Sequence, residues 1–310
     1  MQTQILRTLL SAMLIIVVSC SSKTTPKTQN PASPGGSEPT NLGTTPPKTP
    51  PKQPGSPSQP STPVTPTAPK SGEFIKLEDD LEYAFIDDKT LTLDPIDYKV
   101  HVFKIQQDKF KLKIVSFQED ITQYKSPQNT REELNARIVI NGGFGAAGKP
   151  QNIADGTLLI EGKKISDANP KLSGVLAIEE NKLRISETAQ FAVANPQNPD
   201  TSAIQGNPLL VDRGGKLGIK STTGDKRVAR TAVCTLPSKE MLILVTDRAK
   251  SGIYLMELGR VGVKLGCDIA INLDGGPATA LSVKSYSDSF KGIEIAADKG
   301  WVHPNEIVIE

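Results

Sequence analysis

Ile269-Ala270-Ile271-Asn272-Leu273-Asp274-Gly275-Gly276 is an apolar run that stops at a carboxylate and two glycines. A buried strand ending this way sets one acid at a sheet edge, beside backbone bare enough for a substrate to approach. Ala136-Arg137-Ile138-Val139-Ile140 runs into Asn141-Gly142-Gly143-Phe144 in the same manner. The chain therefore has two strands with polar-Gly-Gly exits, and these are where an active site is expected.

Working outward, alternation of apolar and polar residues dominates the first half of the domain. Residues 99–105 and 110–115, separated by Gln106-Gln107-Asp108, read as a hairpin. Similar paired runs flank Glu161-Gly162 and Glu180-Asn181, led by strands over 157–160 and 175–178. A strand beginning at Met241 ends in Thr246-Asp247-Arg248. Helices are fewer. Thr130-Arg131-Glu132-Glu133 has capping-box spacing and opens a short one, and the apolar periodicity of 253–265 marks a second. The fold expected is α+β: a mixed, largely antiparallel β-sheet with a few covering helices, preceded by a disordered tether.

Residues 1–19 carry one charge, Arg7, ahead of an apolar stretch over 9–18 that is too short to span a bilayer and reads as a signal-peptide core. It closes in Val17-Val18-Ser19-Cys20, which resembles a bacterial lipobox, so Cys20 is expected to become the lipid-bearing first residue of the mature protein. That implies a lipoprotein anchored to a membrane of the bacterial cell envelope, outside the cytoplasm. Residues 20–72 are rich in Pro, Thr and Ser, with almost no large apolar side chain, and cannot bury enough surface to offset the entropy of ordering. They form the tether, and 73–310 form one domain with a sizeable core.

Lys and Arg number 36 against 34 Asp and Glu, and no basic cluster interleaves with aromatics, which argues against a nucleic-acid partner. Cys234 and Cys267 read first as buried free thiols, with a disulfide as the alternative that an exported protein allows. The chain has 2 histidines, His101 within a strand and His303 near the last one, too few for a zinc cluster or a Ser-His-Asp arrangement. Gly143 to Lys149 matches the spacing of a phosphate-binding loop, but Pro150 stands where the magnesium-binding Ser or Thr is needed and no helix is signalled beyond it. Carboxylates and arginines are left to carry the chemistry.

They occur in four polar islands: Asn141-Gly142-Gly143-Phe144, Gln205-Gly206-Asn207-Pro208, Arg230-Thr231-Ala232-Val233, and Asn272-Leu273-Asp274-Gly275-Gly276. Between the last two lie Asp247, Arg248 and Glu257. The order and spacing of these islands resemble the phosphodiester glycosidase family over roughly residues 80–310. Asn141 to Phe144 matches its Asn-Gly-Gly-Phe, Arg230 to Val233 its Arg-Thr-Ala-Val, Glu257-Leu258 its helical Glu-Leu, and Asn272 to Gly276 its Asn-Leu-Asp-Gly-Gly. Departures are Gly145 for a second Phe, Cys234 for a Gly, and Pro277-Ala278-Thr279 for Gly-Ser-Ser. Proline has no N–H and a fixed φ, so Pro277 removes whatever a third glycine would offer a substrate.

The resemblance implies a hydrolase that cleaves a sugar-1-phosphate diester in an envelope or extracellular glycan. Asp274, Glu257 and Arg230 are the catalytic candidates; Asn141, Gly142, Gly143, Asn207, Asp247, Arg248, Asn272, Gly275 and Gly276 are the substrate-binding ones. Asp274 suits the anomeric carbon, where positive charge develops, and Arg230 the phosphate. No cofactor is required by the sequence; acids at strand ends are compatible with a divalent cation such as calcium, although no EF-hand-like loop is present. The alternative is a non-catalytic glycan-binding envelope lipoprotein of the same fold.

Overall fold

The computed structural model describes residues 70–87, 99–147, 149–150, 152–191, 198–247 and 252–310. The expected signal peptide, Cys20, the tether up to residue 69, and Arg248 lie outside the described residues. All described residues fall in one compact unit, Pro63–Glu310.

Strands are numbered in chain order, and every pairing between them is antiparallel. An eight-stranded sheet runs β1 (Ile75–Glu78), β2 (Leu81–Ile86), β3 (Val100–Ile105), β14 (Met241–Thr246), β13 (Thr231–Thr235), β15 (Ile269–Asn272), β11 (Leu209–Asp212), β12 (Lys216–Leu217). A five-stranded sheet runs β17 (Ile293–Ile295), β16 (Leu281–Val283), β5 (Ile138–Asn141), β18 (Asn305–Ile309), β4 (Leu112–Ser116). A second five-stranded sheet runs β7 (Lys163–Ser166), β6 (Leu158–Ile160), β10 (Ser202–Gly206), β8 (Gly174–Glu179), β9 (Lys182–Glu187). In place of one mixed sheet there are three antiparallel ones, and the described residues form two α-helices, α1 (Pro127–Glu133) and α2 (Leu255–Lys264).

The inner faces of all three sheets share one core, in which Phe103, Ile243 and Val233 meet Ile140, Leu281 and Ile307 and also Leu158, Leu176 and Ile204. The outer face of the large sheet is buried too, because Leu242, Leu244 and Ala270 pack with Leu258 and Val261 of α2. This is why Met241-Leu242-Ile243-Leu244-Val245 is apolar throughout instead of alternating.

Two expected hairpins form, β6–β7 and β8–β9, each turning on two residues at positive φ: Glu161 (47°) and Gly162 (74°) in one, Glu180 (48°) and Asn181 (61°) in the other. The hairpin expected over 99–115 does not form. β3 pairs with β2 and β14, whereas β4 pairs with β18 in another sheet, and a 3-10 turn over Gln107–Lys109 carries the chain between them. The first helix also differs from expectation: α1 starts at Pro127 with Ser126 as its cap, so Thr130 sits inside it. Ser before Pro at the first helical position is the stronger start signal.

Cys234, on β13, and Cys267, which precedes β15, are joined in a disulfide with a Cα separation of 5.8 Å. Both had been expected first as free thiols. The burial expectation holds, since both are all but inaccessible, but their partners in the core are each other. Beyond β5, the phosphate-loop look-alike folds back through a Gly145–Ala154 bridge and an Ala146 N–H to Ile153 carbonyl bond, where a nucleotide site would need a helix N-terminus.

Candidate active site

β5, β13 and β15 bring their exits together. Asn141, fully buried at the end of β5, is the junction: its Oδ1 accepts the Thr231 hydroxyl (2.6 Å) and the Ala280 amide (3.0 Å), while Nδ2 donates to the Asp274 carbonyl (2.8 Å). The Asp274 amide donates in turn to the Gly142 carbonyl at 3.1 Å. On the far side of Asn141, Asn305 of β18 accepts the Gly143 amide at 2.8 Å. With its side-chain oxygen spent on two donors, Asn141 is a clasp between sheets.

The glycines have a definite reason to be there. A Cβ on Gly142 would run into the Asn305 carboxamide oxygen, one on Gly143 would lie 2.9 Å from the Gln205 carbonyl, and one on Gly275 would lie 2.9 Å from the Ala229 carbonyl. Gly142, Gly143 and Gly275 are thus needed internally, for close approach of neighbouring chain. Asn207 and Asn272 form a reciprocal clamp next door, the Asn207 amide donating to the Asn272 carbonyl (2.9 Å) and Asn272 Nδ2 to the Asn207 carbonyl (2.7 Å).

Arg230 reaches this place from the start of β13. Its Cδ lies against Gly275, 3.5 Å from where a Cβ on that glycine would be, which sets the arginine stem beside the residue that follows Asp274. Its backbone is fixed to β14, the Arg230 amide donating to the Thr246 hydroxyl at 2.6 Å. The guanidinium is anchored along one edge: Nε donates to the Ile253 carbonyl (3.5 Å), and Nη2 to the Lys226 carbonyl (2.8 Å) and to Asp225 Oδ1 (3.2 Å). Among the described residues no hydrogen bond engages Nη1, so its two N–H groups are donors not used by the fold.

Asp274 is the acid at the centre. Burial pushes its carboxyl up to about 6, against the amide of Gly275 (N to Oδ1, 2.8 Å), the nearby His303 and the amide of Gly145, which all favour the charged form. Gly145 lies in the exit of β5, so a backbone donor from one motif serves the carboxylate of the other. His303 itself donates through Nε2 to the Ala278 carbonyl (2.6 Å) and holds the turn after Asp274, with Glu306 buried behind it, Oε1 at 3.7 Å from Nδ1. Burial raises the Glu306 carboxyl as well. His101 is elsewhere, buried in β3 and bonded through Nδ1 to the Tyr83 hydroxyl at 3.0 Å.

Glu257 lies at the first turn of α2, where Oε2 accepts the Tyr254 amide (3.2 Å) and Oε1 faces Arg227 (3.5 Å); both contacts serve the helix start. Asp247 follows Thr246 directly, its amide donating to the Lys99 carbonyl at 2.8 Å. Pro277 sits in a 3-10 turn over Gly276–Ala278, where a missing N–H leaves no bond unmade, while Gly276 takes the left-handed conformation at φ 59°. Asn141, Gly142, Gly143, Arg230, Asp274, Gly275 and Gly276 therefore gather at one place, Asn207 and Asn272 clamp one side of it, and Glu257 is joined to it by way of Asp225 and the start of α2. Asp225, Thr231, Thr246, Asn305 and His303 were not singled out from the sequence as site residues. Asp225 stands in Ser221-Thr222-Thr223-Gly224-Asp225, which has the composition of an ordinary turn. Among the described residues no group of three or more His, Cys, Asp or Glu side chains is placed to hold a metal ion.

The Asn-Gly-Gly exit of β5 is clasped to the Asp-Gly-Gly exit of β15 beside a largely buried arginine, within three antiparallel sheets. The sequence profile of the phosphodiester glycosidase family matches residues 134–310, more than half of the chain, and the chain belongs to that family. Among solved structures it is similar to the catalytic domain of zebrafish N-acetylglucosamine-1-phosphodiester alpha-N-acetylglucosaminidase, auto-inhibited by its pro-peptide, with a TM-score of 0.56 at 17% identity, over 78% of this chain and 85% of that one. A hypothetical protein from Synechocystis aligns with a TM-score of 0.50 at 13% identity, over 78% of this chain and 64% of that one. These two likenesses concern the fold. No curated protein matches the chain.

Proposed function

We propose that the chain is a hydrolase of glycosyl phosphodiesters, with Asp274 at the anomeric carbon and Arg230 at the phosphate. The observation that carries this reading is the packing of the Arg230 stem on Gly275, the residue that follows Asp274, so that the arginine and the acid reach the site from adjacent backbone. A phosphate ester leaves as a comparatively stable anion, so charge stabilisation by Arg230 Nη1 supplies much of what a protonating acid supplies in ordinary glycoside hydrolysis. Asp274, charged at neutral pH, stabilises the positive charge that develops on the sugar. Of the two further carboxylates, Glu257 has both oxygens engaged at the start of α2, which sets it to position that helix rather than to activate water.

The substrate class suggested by the family is a sugar joined through its anomeric oxygen to a phosphodiester, as in an envelope or extracellular glycan. A diester of N-acetylglucosamine 1-phosphate with methanol is a suitable first probe, assayed for released sugar with and without a chelator. Turnover supports the hydrolase; tight binding of the diester without turnover would replace it with the glycan-binding lipoprotein. Arg230→Lys is expected to lower kcat/KM by about a hundredfold, because an ammonium cannot keep the bonds to Asp225, Lys226 and Ile253 and still present a donor to phosphate. Unchanged kinetics in that variant would take Arg230 out of the site.

The proposal extends to location: an exported protein held to the envelope by lipid on Cys20, which the Cys234–Cys267 disulfide suits, since such bonds persist in oxidising compartments. Cys20→Ala should release the protein from membranes or block its processing, read by fractionation and gel mobility; a variant that behaves like wild type in both would dispose of the anchor.

A further inference from the structure

Asp225 commits its two oxygens to different elements. Oδ1 accepts Arg230 Nη2 at 3.2 Å, and Oδ2 accepts the amides of Leu255 (2.8 Å) and Met256 (3.5 Å), the first two residues of α2. The pair is sequestered, with side-chain exposures of 5% for Asp225 and 13% for Arg230. Helix N-termini carry partial positive charge, so a single buried anion is set against both a guanidinium and a helix end. Arg227, three residues before Arg230, is balanced in the same way by Glu257 at 3.5 Å. For a site read as receiving phosphate, the arginines are unexpectedly well neutralised.

Hydrolysis of a diester changes the charge that this site must hold. Water oxygen bonds to the anomeric carbon, the bond from that carbon to the phosphate oxygen breaks with its electron pair passing to phosphate, and one water proton is released. The diester enters with one negative charge; the monoester leaves with nearly two, because its second pKa is about 6. A subsite with the full charge of Arg230 and of a helix end would favour the product over the substrate.

We propose that Asp225 is a specificity-determining residue whose charge keeps the Arg230 subsite close to neutral, so that it accepts a singly charged phosphodiester and lets go of the doubly charged phosphomonoester. This rests on the reading of Arg230 as the phosphate contact and extends it from which group binds to which charge state is retained. The prediction is a gain in binding, which a merely structural carboxylate does not give.

The test uses the full chain at pH 8 and inorganic phosphate as the dianionic probe, with affinity measured by calorimetry. Asp225→Asn, which keeps an acceptor oxygen but no charge, should bind phosphate at least about tenfold more tightly than wild type. Asp225→Glu, which keeps the charge, should not gain, and Arg230→Gln added to Asp225→Asn should erase the gain. No gain in Asp225→Asn, an equal gain in Asp225→Glu, or a gain that survives loss of Arg230 would each overturn the proposal. Should the Asn variant fail to fold, wild type alone decides: it should prefer dimethyl phosphate to methyl phosphate at pH 8, and the reverse order would sink the idea. Phosphate affinity needs no catalysis, so a wild type without turnover would count against the hydrolase reading while leaving this outcome to be judged by itself.

Discussion

Asp274→Asn should leave the fold intact and lower turnover by about three orders of magnitude, since an amide is nearly isosteric with the carboxylate but cannot bear the charge that opposes the developing cation. The backbone makes the exchange tolerable: the Asp274 carbonyl and amide bonds to Asn141 and Gly142 do not involve the side chain. The carboxyl is raised by burial from 3.8 to about 6, so wild-type turnover should climb as pH rises through about 6. Stability should run the other way. Below 3.8 the acid is neutral in both folded and unfolded chains, and as pH rises from there to about 6 the unfolded chain ionises first, so the folded state loses ground. The Asn variant is exempt from that loss, and its melting temperature should gain on wild type between pH 4 and pH 8. A variant with near-normal turnover would remove Asp274 from the chemistry, and identical pH–stability curves would refute its buried carboxyl.

Removal of the disulfide should be the most damaging change to stability. It closes a loop across a sequence separation of 33 and ties β13, which Arg230 immediately precedes, to the segment entering β15, beyond whose end Asp274 lies. Loop-closure entropy of this size corresponds to about 3–4 kcal/mol, a large share of the 5–15 kcal/mol typical of a domain. Cys234→Ala and Cys267→Ala, alone or together, should therefore lower the urea midpoint by similar amounts, since either one opens the same loop. A loss under about 1 kcal/mol, or a double variant much worse than both single ones, would contradict this account.

The motifs were legible because each is a local pattern with a local cause. A strand that stops at Asn-Gly-Gly or Asp-Gly-Gly does so because its neighbours press on the glycines, and the residues that press, Asn305 and Ala229, are distant in sequence but the pattern they impose is not. Partnership was less legible. Alternation over 99–105 and 110–115 records that each segment is half-buried, and says nothing of what lies alongside; both are strands, in different sheets. Cys234 and Cys267 show the same limit, since small apolar neighbours report burial but not that two thiols meet. Asp225 was hidden for the opposite reason. It sits in a polar turn with the composition of any turn, and its importance comes wholly from the two elements, 5 and 30 residues away, that it grips.

β18 lies between β5 and β4 in the middle of its sheet, and Asn305 from that strand fastens the Gly143 amide. Its partner β4 is contributed from far upstream; Lys113 and Glu310, paired across the two, are 197 residues apart. Such long-range pairing is slow to nucleate, because a large loop must close before any contact repays it. The order of synthesis then becomes an order of competence. A growing chain can assemble its local hairpins, β6–β7 and β8–β9, as they emerge, but the Asn141 exit has no floor until residue 305 is available. The candidate centre is therefore expected to be among the last parts of the domain to be completed, because the Gly143 amide finds its acceptor only in β18.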